Sequence, residues 1–399
     1  MQTLRVGIDL TAIWRRQTGI FRYAVEVAKH LLLLQETEPH IRYVLFFAHE
    51  IHPAFVAFQD SFDAVICPTT NELLIKQFWF PFILPRLHLD VMHYPSFPPP
   101  FFHLFGPSTV MTLHDAGPWR YGHTLTLHGR LYFRTLLARG ICTCARVITV
   151  SKHAKSEIGH YLGERYLPKV SVIPEAARPA FAIPRSDAFK QEVRERYKLP
   201  DCYLLVVATT EPRKNLVTLL DAYMQLKNSL GASCPPLVIV GRKGWNCDDI
   251  LSYMAELEDT VRFPGYVSDE ELIALYQMAT CLVFPSLYEG FGLPVLEAMA
   301  AGCPVITSTT SALPEVAGNA ALLVDPLNAQ GIATAMRQVL QDKDLQTRMI
   351  HDGRVWASSF SWQETARMTR EVYIMAADSF PRHPESKQPT FSLNLWKRA

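Results

Sequence analysis

The densest set of residues suited to chemistry lies in residues 286–302, SLYEGFGLPVLEAMAAG, directly after the apolar run Cys281–Phe284. Gly290 and Gly292 allow a ligand to approach the backbone closely, and Pro294 suits the first turn of a helix. Free amides at a helix start bind anions such as a pyrophosphate. The pattern predicts a strand, a glycine loop and a helix, with the anion held by the backbone of four residues: Gly290, Phe291, Gly292 and Leu293.

Two glutamates flank this predicted helix start. Glu289 precedes the helix, and Glu297 falls in its second turn, where its neighbours are mostly apolar. A carboxylate in such surroundings is costly to bury unless donors meet it, and the hydroxyls of a ribose or a sugar would do so. The competing interpretation is a glutamate favoured by the helix dipole together with a buried salt bridge.

Cations follow two other predicted strands. The run YLLVVATTEPRKN ends on Arg213 and Lys214, and two cations at a strand end suit a diphosphate and the charge that develops on a leaving nucleotide. Arg242 closes a neighbouring strand, where it either helps to bind phosphate or faces solvent. An Arg-Lys pair ahead of a helix is also common in a solvated turn.

The first half of the chain offers a histidine in TVMTLHDAGPW. An apolar strand there delivers His114 and Asp115 to its end, and Asp115 is placed to orient the imidazole. A lone histidine is more often structural, so only its position after a buried strand favours a catalytic role. Gly19, in QTGIFRYA, precedes the first long helix and is weaker support for a site, because turns use glycine for many reasons.

Short apolar runs alternate with amphipathic stretches, which predicts an α/β fold of parallel strands and crossover helices. The predicted strands are 4–10, 43–47, 91–93, 109–113 and 147–150, then 203–208, 237–240, 261–263, 281–284 and 304–307. The predicted helices are 20–34, 128–142, 216–230, 269–276, 293–301 and 329–340.

A proline-containing linker, 173–200, divides these two series. It predicts two doubly wound, Rossmann-like domains, 1–180 and 181–361, that face a central cleft at the carboxyl ends of their strands. One short helix is expected within the linker. A last helix, 362–377, is predicted to pack back on the first domain, and the polar tail 379–399 is predicted to be poorly ordered.

Composition excludes several functions. The charge balance of 39 Lys+Arg against 38 Asp+Glu provides no basic surplus for nucleic-acid binding. The eight cysteines are mostly interpreted as buried thiols, and the pair Cys142 and Cys144 is too sparse to indicate zinc. Asp342 and Asp344 form an Asp-x-Asp triplet but are expected to face solvent, so no metal or other cofactor is predicted. The absence of a signal peptide and of a membrane-spanning run predicts a cytoplasmic protein.

The aromatic and proline-rich stretch 77–106 has two interpretations. Its rings either form an apolar surface for an acceptor or a membrane, or pack beneath a long excursion of the chain. The second interpretation is favoured. Peripheral association with the inner face of a membrane stays open.

The chain resembles the retaining family 4 (group 1) glycosyltransferases, which have the GT-B fold. The resemblance is carried by VRFPGYVSDEELIALYQMATCLVFPSLYEGFGLPVLEAMAAGCPVITSTTSALPEVAGNAALLVDP, in which Glu289 and Glu297 match the family's two glutamates separated by seven residues. The resemblance implies that Glu289 contacts the donor sugar, that Glu297 contacts the nucleotide ribose, and that Lys214 binds the diphosphate. Many members carry an arginine where this chain has Ala208, which leaves open whether Arg213 replaces it.

The resemblance extends to four weaker positions. It implies that His114 lies beside the donor sugar, that Gly19 lets phosphate and acceptor approach, and that Tyr266 and Val267 hold the nucleobase. A Ser268 helix cap explains the latter segment equally well.

The implied function is transfer of a sugar, with mannose or a similar hexose favoured, from a nucleotide-diphosphate donor to a hydroxyl of a glycan or lipid-linked glycan. Transfer would retain the anomeric configuration and need no metal. The alternatives are a nucleotide-sugar epimerase of similar build and a binding-only relative. A dehydrogenase is disfavoured because no G-x-G-x-x-G motif follows the first strand.

Overall fold

A computed structural model describes residues 3–13, 19–37, 40–96, 98–101, 106–122, 127–244, 248–257 and 260–379 of the 399-residue chain. The strands in these residues form two parallel sheets. The first sheet has the order β3-β2-β1-β4-β5-β6-β7 and the second has the order β10-β9-β8-β11-β12-β13. The predicted doubly wound α/β class is therefore confirmed.

The strand bounds follow the apolar runs closely. The first sheet comprises β1 (Leu4–Asp9), β2 (Ile41–Phe47), β3 (Phe62–Ile66), β4 (Val91–Tyr94), β5 (Ser108–Thr112), β6 (Arg146–Thr149) and β7 (Val170–Val172). The second comprises β8 (Leu204–Val207), β9 (Leu237–Val240), β10 (Val261–Gly265), β11 (Cys281–Phe284), β12 (Val305–Ser308) and β13 (Leu322–Val324).

Helices connect these strands as crossovers. They are α1 (Gly19–Thr37), α2 (Glu72–Leu74), α3 (Phe80–Ile83), α4 (Gly117–Arg120), α5 (Leu127–Thr143), α6 (Lys152–Leu162), α7 (Asp187–Arg196), α8 (Leu216–Leu230), α9 (Asp248–Glu256), α10 (Asp269–Met278), α11 (Leu293–Ala301), α12 (Leu313–Ala317), α13 (Ala329–Gln341), α14 (Lys343–Ser358) and α15 (Trp362–Asp378). A π-helical turn, Ile75–Trp79, joins α2 to α3. Within the described chain, no helix combines the length and apolarity needed to cross a bilayer.

Strand order reverses at one place in each sheet. In the first sheet β1 lies between β2 and β4, and in the second β8 lies between β9 and β11. Connections on either side of such a reversal leave in opposite directions, so a crevice opens at the carboxyl ends of the two central strands. The loops after β8 and β11 are therefore the expected ligand-binding loops of the second sheet.

The chain divides into two units. Over the described residues, the first takes 3–150, 155–174 and 362–379, and the second takes 151–154 and 175–361. The boundary at 174/175 falls inside the predicted linker, which contains α7, and lies a few residues before the predicted limit at 180. The helix α15 packs on α1 and on β4, β5 and β6, with Trp362 and Tyr373 buried.

Apolar side chains on one face of the second sheet build a core against two helices. Leu204, Val206, Ile239 and Val283 of the sheet meet Leu219, Leu220 and Tyr223 of α8 and Ile332 and Met336 of α13, all nearly inaccessible. Since each buried Leu, Ile or Val side chain contributes about 1.5–3 kcal/mol, this core holds the strand ends and their loops in fixed positions.

Some aromatic residues of the stretch 77–106 are buried and others are exposed, so each of the two interpretations describes part of it. Phe80 and Tyr94 are buried in the first unit, which agrees with packing beneath the excursion, whereas Phe78 and Phe82 are largely exposed. Predicted aromatic positions 97, 102 and 105 lie outside the described residues, as does the tail from 380 onward.

Two other expectations need correction. Cys142 and Cys202 are exposed, so the description of the cysteines as buried thiols holds for Cys67, Cys144, Cys281 and Cys303 but not for these two. Asp342 does more than face solvent, because its Oδ1 accepts the amide of Leu345 and caps α14.

Candidate active site

The loops after β8 and β11 are joined at the reversal point of the second sheet. β8 pairs with β11 through Leu204 and Cys281. Beyond the strands, the amide of Leu287 donates a 2.8 Å hydrogen bond to the carbonyl of Arg213, and Asn215 Nδ2 donates one of 3.1 Å to the carbonyl of Pro285. Two segments more than seventy residues apart in sequence thus form one scaffold.

This scaffold assembles four charged residues, which we call the charge quartet: Glu211, Arg213, Lys214 and Glu289. Lys214 Nζ lies 2.5 Å from Glu289 Oε1, and Arg213 Nη1 lies 3.1 Å from Glu289 Oε2. Arg213 Nε lies 2.5 Å from Glu211 Oε1. The two carboxylates are buried, while the Arg213 side chain keeps 30% of its accessible surface.

The quartet shifts the acidity of its own members. Burial and then the charge of Arg213 lower the pKa of Lys214, opposed by Glu289 and Glu211. Burial alone would raise the pKa of Glu289, but Lys214 and Arg213 outweigh it, so the pKa lies below its usual value. The quartet therefore places two acidic and two basic side chains in a poorly solvated site, where the electrostatic interaction with a further charge is strong.

The helix start after Glu289 has the predicted geometry. The helix α11 begins at Leu293, with Gly292 as its N-cap at φ 115°, a value that favours glycine. A side chain at 292 would also approach Leu313 Cδ2 to 2.7 Å. The Glu289 amide donates to Ser311 Oγ at 3.1 Å, and Ser151 Oγ donates to the Gly290 carbonyl at 2.7 Å, so both ends of the 289–290 segment are held.

Glu297 lies in the second turn of α11 and is buried, as its apolar neighbours required. The hydroxyl of Tyr276, on α10, donates to Glu297 Oε2 at 3.4 Å. This bond partly satisfies the buried carboxylate. Tyr276 was not among the predicted site residues.

The predicted base-binding residues lie at the end of β10. Tyr266 is half exposed and Val267 is buried, while the exposed guanidinium of Arg242 stacks over the Tyr266 ring at 4.5 Å. Ser268 and Glu271 form a capping box at the start of α10, so the helix-cap interpretation also holds. Arg242, just after β9, is therefore next to Tyr266.

In the first unit, His114 follows β5 as predicted. Its Nε2 lies 2.9 Å from the carbonyl oxygen of Pro95, to which it donates, so Nδ1 is the remaining acceptor nitrogen. The Asp115 carboxylate instead accepts the Gly117 amide at 2.8 Å, which starts α4. A backbone carbonyl thus meets Nε2, and the role of Asp115 in orienting the imidazole stays a prediction. Gly19 is exposed at the first position of α1.

A buried hydrogen-bonded group beside His114 was missed by sequence reasoning. His93 Nε2 lies 2.8 Å from Thr112 Oγ1, and His93 Nδ1 lies 2.7 Å from the hydroxyl of Tyr373 on α15. Thr112 Oγ1 also contacts the hydroxyl of Tyr23, whose ring meets His114 edge-on at 4.7 Å. Burial, then His114, lowers the pKa of His93 to about 3. A histidine inside the buried strand VMHY was the one available signal.

Within the described part of the chain, no group of three or more His, Cys, Asp or Glu could hold a metal ion. The two cations of the quartet, Lys214 and Arg213, both pair with Glu289.

The chain is similar to known glycosyltransferases. Residues 189–356 match the family model described as glycosyl transferases group 1. The chain is 37% identical over 246 residues to O-antigen chain mannosyltransferase B of Escherichia coli, which covers 61% of this chain and 64% of that protein. It is 32% identical over 242 residues to O-antigen chain mannosyltransferase RfbU of Salmonella typhimurium, covering 60% and 63% respectively.

A solved structure extends the likeness to the fold of nearly the whole chain. A glycosyltransferase from Rickettsia africae superposes with a TM-score of 0.71 over 94% of this chain and 99% of its own, at 17% identity. The sequence matches span just under two thirds of the two mannosyltransferases. The resemblance found in residues 261–326 thus falls within the segment that matches the group 1 family model.

Proposed function

We propose that this chain, whose residues 189–356 belong to the group 1 glycosyltransferases, transfers a sugar from a nucleotide-diphosphate donor to a hydroxyl of a glycan or lipid-linked glycan. Mannose or a similar hexose is the favoured sugar, because both curated relatives named above are mannosyltransferases. Retention of the anomeric configuration is proposed from the family resemblance alone.

The observation that carries the proposal is the pairing of Glu289 with two cations. Lys214 Nζ and Arg213 Nη1 lie 2.5 and 3.1 Å from opposite oxygens of one buried carboxylate, beside the start of α11. Cations and free helix amides suit a diphosphate, and a carboxylate held between them suits the hydroxyls of the attached sugar.

The chain's residues would share the reaction as follows. The bond between the anomeric carbon and the diphosphate oxygen breaks, and its electron pair leaves with the diphosphate, whose growing charge is stabilised by Lys214, Arg213 and the amides at 290–293. The acceptor oxygen then bonds to the anomeric carbon and its proton passes to the departing diphosphate. Glu289 and His114 would hold sugar hydroxyls, and neither is a covalent nucleophile.

Nucleotide recognition would fall to three residues. Glu297 would accept from the ribose hydroxyls in place of, or together with, the Tyr276 hydroxyl. Tyr266, backed by Arg242, offers an exposed ring on which a base can stack. Gly19 and Asp115 keep the supporting roles predicted from the sequence.

Peripheral membrane association and a cytoplasmic location are part of the proposal. Leu73, Leu74, Phe78 and Phe82 are each between 46% and 67% exposed in the segment from α2 to α3, which supports contact with an apolar surface.

The proposal is tested by thermal-shift screening against UDP- and GDP-sugars, followed by turnover measurements with and without acceptor. A stabilising donor that is consumed only with acceptor supports the transferase, because a ligand raises stability only when it binds the native state preferentially. Turnover without acceptor would indicate the epimerase, and binding without turnover the binding-only relative. Turnover is expected to survive EDTA, and cosedimentation with lipid vesicles tests membrane association; failure of either removes that part of the proposal.

A further inference from the structure

Glu211 is a buried carboxylate that the family signature and the proposed reaction leave without a task. It is 2% exposed and follows β8, two residues before Arg213. Its Oε1 lies 2.5 Å from Arg213 Nε. Burying a carboxylate costs free energy, and a partly exposed partner such as Arg213 offsets only part of that cost. This pairing is therefore expected where the position of the partner side chain matters.

Arg213 is held at more than one point. Nε contacts Glu211, Nη1 lies 3.1 Å from Glu289 Oε2, and Nη1 also lies 3.4 Å from the carbonyl of Tyr288. The backbone is fixed as well, because the Arg213 carbonyl accepts the Leu287 amide. A free arginine side chain populates many rotamers, and a planar guanidinium bound along one edge loses that freedom before a ligand arrives.

The position of the absent family arginine supports the same conclusion. Ala208 is 7% exposed and belongs to the apolar core of the second unit. Its carbonyl oxygen would lie 1.9 Å from a Cβ at Gly241, so the backbones after β8 and β9 are in close contact there. The residue at 208 supplies no charge, and Arg213 is the cation beside Lys214 in the quartet.

We infer that Glu211 is a positioning residue that fixes the guanidinium of Arg213 next to Lys214, so that Arg213 serves as the second diphosphate-binding cation in place of the missing arginine at 208. The inference rests on the proposed function. It adds Glu211, which positions Arg213 and does not itself bind the ligand, to the residues of the two-glutamate signature.

The charges of the quartet give the inference a specific kinetic consequence. Two carboxylates and two cations sum to zero, and Glu211→Gln makes the set net positive. Attraction for a diphosphate in the ground state is then kept or increased, while Arg213 loses the partner that aims it at the leaving oxygen. We therefore expect a fall in kcat together with tighter nucleotide binding, because the added net positive charge acts in the ground state whereas orientation matters most in the transition state.

The experiment is a double-mutant cycle with Glu211→Gln and Arg213→Ala in the full chain. If Glu211 acts through Arg213, Glu211→Gln lowers kcat about tenfold in the wild-type background and has no further effect once Arg213 is removed. Equal losses in both backgrounds, or wild-type kcat in Glu211→Gln, overturn the inference. A general structural role predicts a lowered Tm in Glu211→Gln and additive losses.

Two further measurements keep the test decisive. The double variant Glu211→Gln, Arg213→Gln replaces a charged pair by a neutral one of similar shape, and is used if a single variant does not fold. If the wild type transfers no sugar from any donor, the proposed function fails. The affinities of the wild type and the variants for UDP and GDP, measured by calorimetry, then replace kcat in the same double-mutant cycle. In that case Glu211→Gln should tighten nucleotide binding in the wild-type background and have no effect once Arg213 is removed. An equal change in both backgrounds, or no change in either, overturns the inference.

Discussion

Both sheets carry a polar cluster at or just beyond their central strands, but the two clusters differ in chemistry. In the second unit, the charge quartet pairs two buried carboxylates with Arg213 and Lys214. In the first unit, His93, Thr112, Tyr23 and Tyr373 form a chain of neutral hydrogen bonds. The same strand arrangement therefore supports a site for charge and a site without it.

The two clusters differ in charge because they interact with different groups. Paired charges can exchange partners with an anion, so the quartet suits a ligand with a diphosphate. A fully buried histidine with a pKa of about 3 holds no charge near neutral pH, so its two nitrogens act as one donor and one acceptor that fix their neighbours. Charge in the second unit is expected to act on substrate, and the neutral group in the first unit to hold His114 and α15 in place.

The largest expected effect is on the charged cluster. Lys214→Ala removes the more buried of the two cations in the charge quartet, which are proposed to stabilise the leaving diphosphate. We expect kcat to fall by about 10²–10³. Lys343→Ala, at an exposed position at the start of α14, is the matched control and should leave kcat near the wild-type value. Steady-state kinetics check both variants, and equal kcat values for them would remove Lys214 from the proposed reaction.

The next effect concerns the neutral cluster and is one of stability. The pKa of His93 is lowered from 6.5 to about 3, so below pH 6.5 the unfolded state binds a proton that the native state does not. Stability is therefore lost as pH falls, by about 2 kcal/mol between pH 6.5 and 5, since each pH unit costs about 1.4 kcal/mol. Urea unfolding at both pH values should show a smaller loss for His93→Gln than for the wild type.

The control for this measurement is His351→Gln, because His351 is an exposed residue of α14. It should keep the pH dependence of the wild type. An unchanged pH dependence in His93→Gln as well would mean that His93 is not held neutral, and the contrast between the two clusters would fail.

The smallest effect is a shift of the pH profile. Burial and Arg213 lower the pKa of Lys214, so turnover should decline with rising pH before an ordinary lysine deprotonates. Arg213→Gln removes a neighbouring positive charge, which raises the pKa of Lys214 and moves this alkaline decline to higher pH. The measurement is kcat against pH from neutrality to about pH 10.5, the ordinary lysine range.

Glu289 and Glu211 are the other charged groups that act on Lys214, and both oppose its deprotonation. Glu211→Gln should therefore move the alkaline decline to lower pH, opposite in direction to Arg213→Gln. Arg348→Gln, on the exposed side of α14, should leave it in place. Shifts of the same sign in the Glu211 and Arg213 variants would show that the alkaline decline does not report Lys214.

The strand β11 and the helix α11 match their predicted bounds because the chain marks them strongly. Gly292, Pro294 and Gly302 delimit the helix, and an apolar run of four residues specifies the strand. The short strands β3, β7 and β13 were not predicted. They are three to five residues long and partly exposed, so their pairing depends more on a neighbouring strand than on an apolar run of their own.

The candidate site, too, has features that the sequence predicted and contacts that it did not. Each predicted residue of the quartet was recognised from its local segment, but the ion pairs of Glu289 with Arg213 and Lys214 span 76 and 75 residues. Glu211 was passed over because an isolated glutamate in a loop has no distinguishing pattern. His93 and Tyr373, 280 residues apart, had no local signal that connected them.

Sequence by itself determined the α/β class, the glycine loop with its two glutamates, and the resemblance of the second half to a known family, because these depend on local pattern and spacing. Tertiary structure decided which charges meet. Strand order placed the β8 loop beside the β11 loop, where Arg213 and Lys214 both pair with Glu289 and Arg213 also pairs with Glu211. Electrostatic coupling depends on distance and on the exclusion of water, and neither can be obtained from separation along the chain.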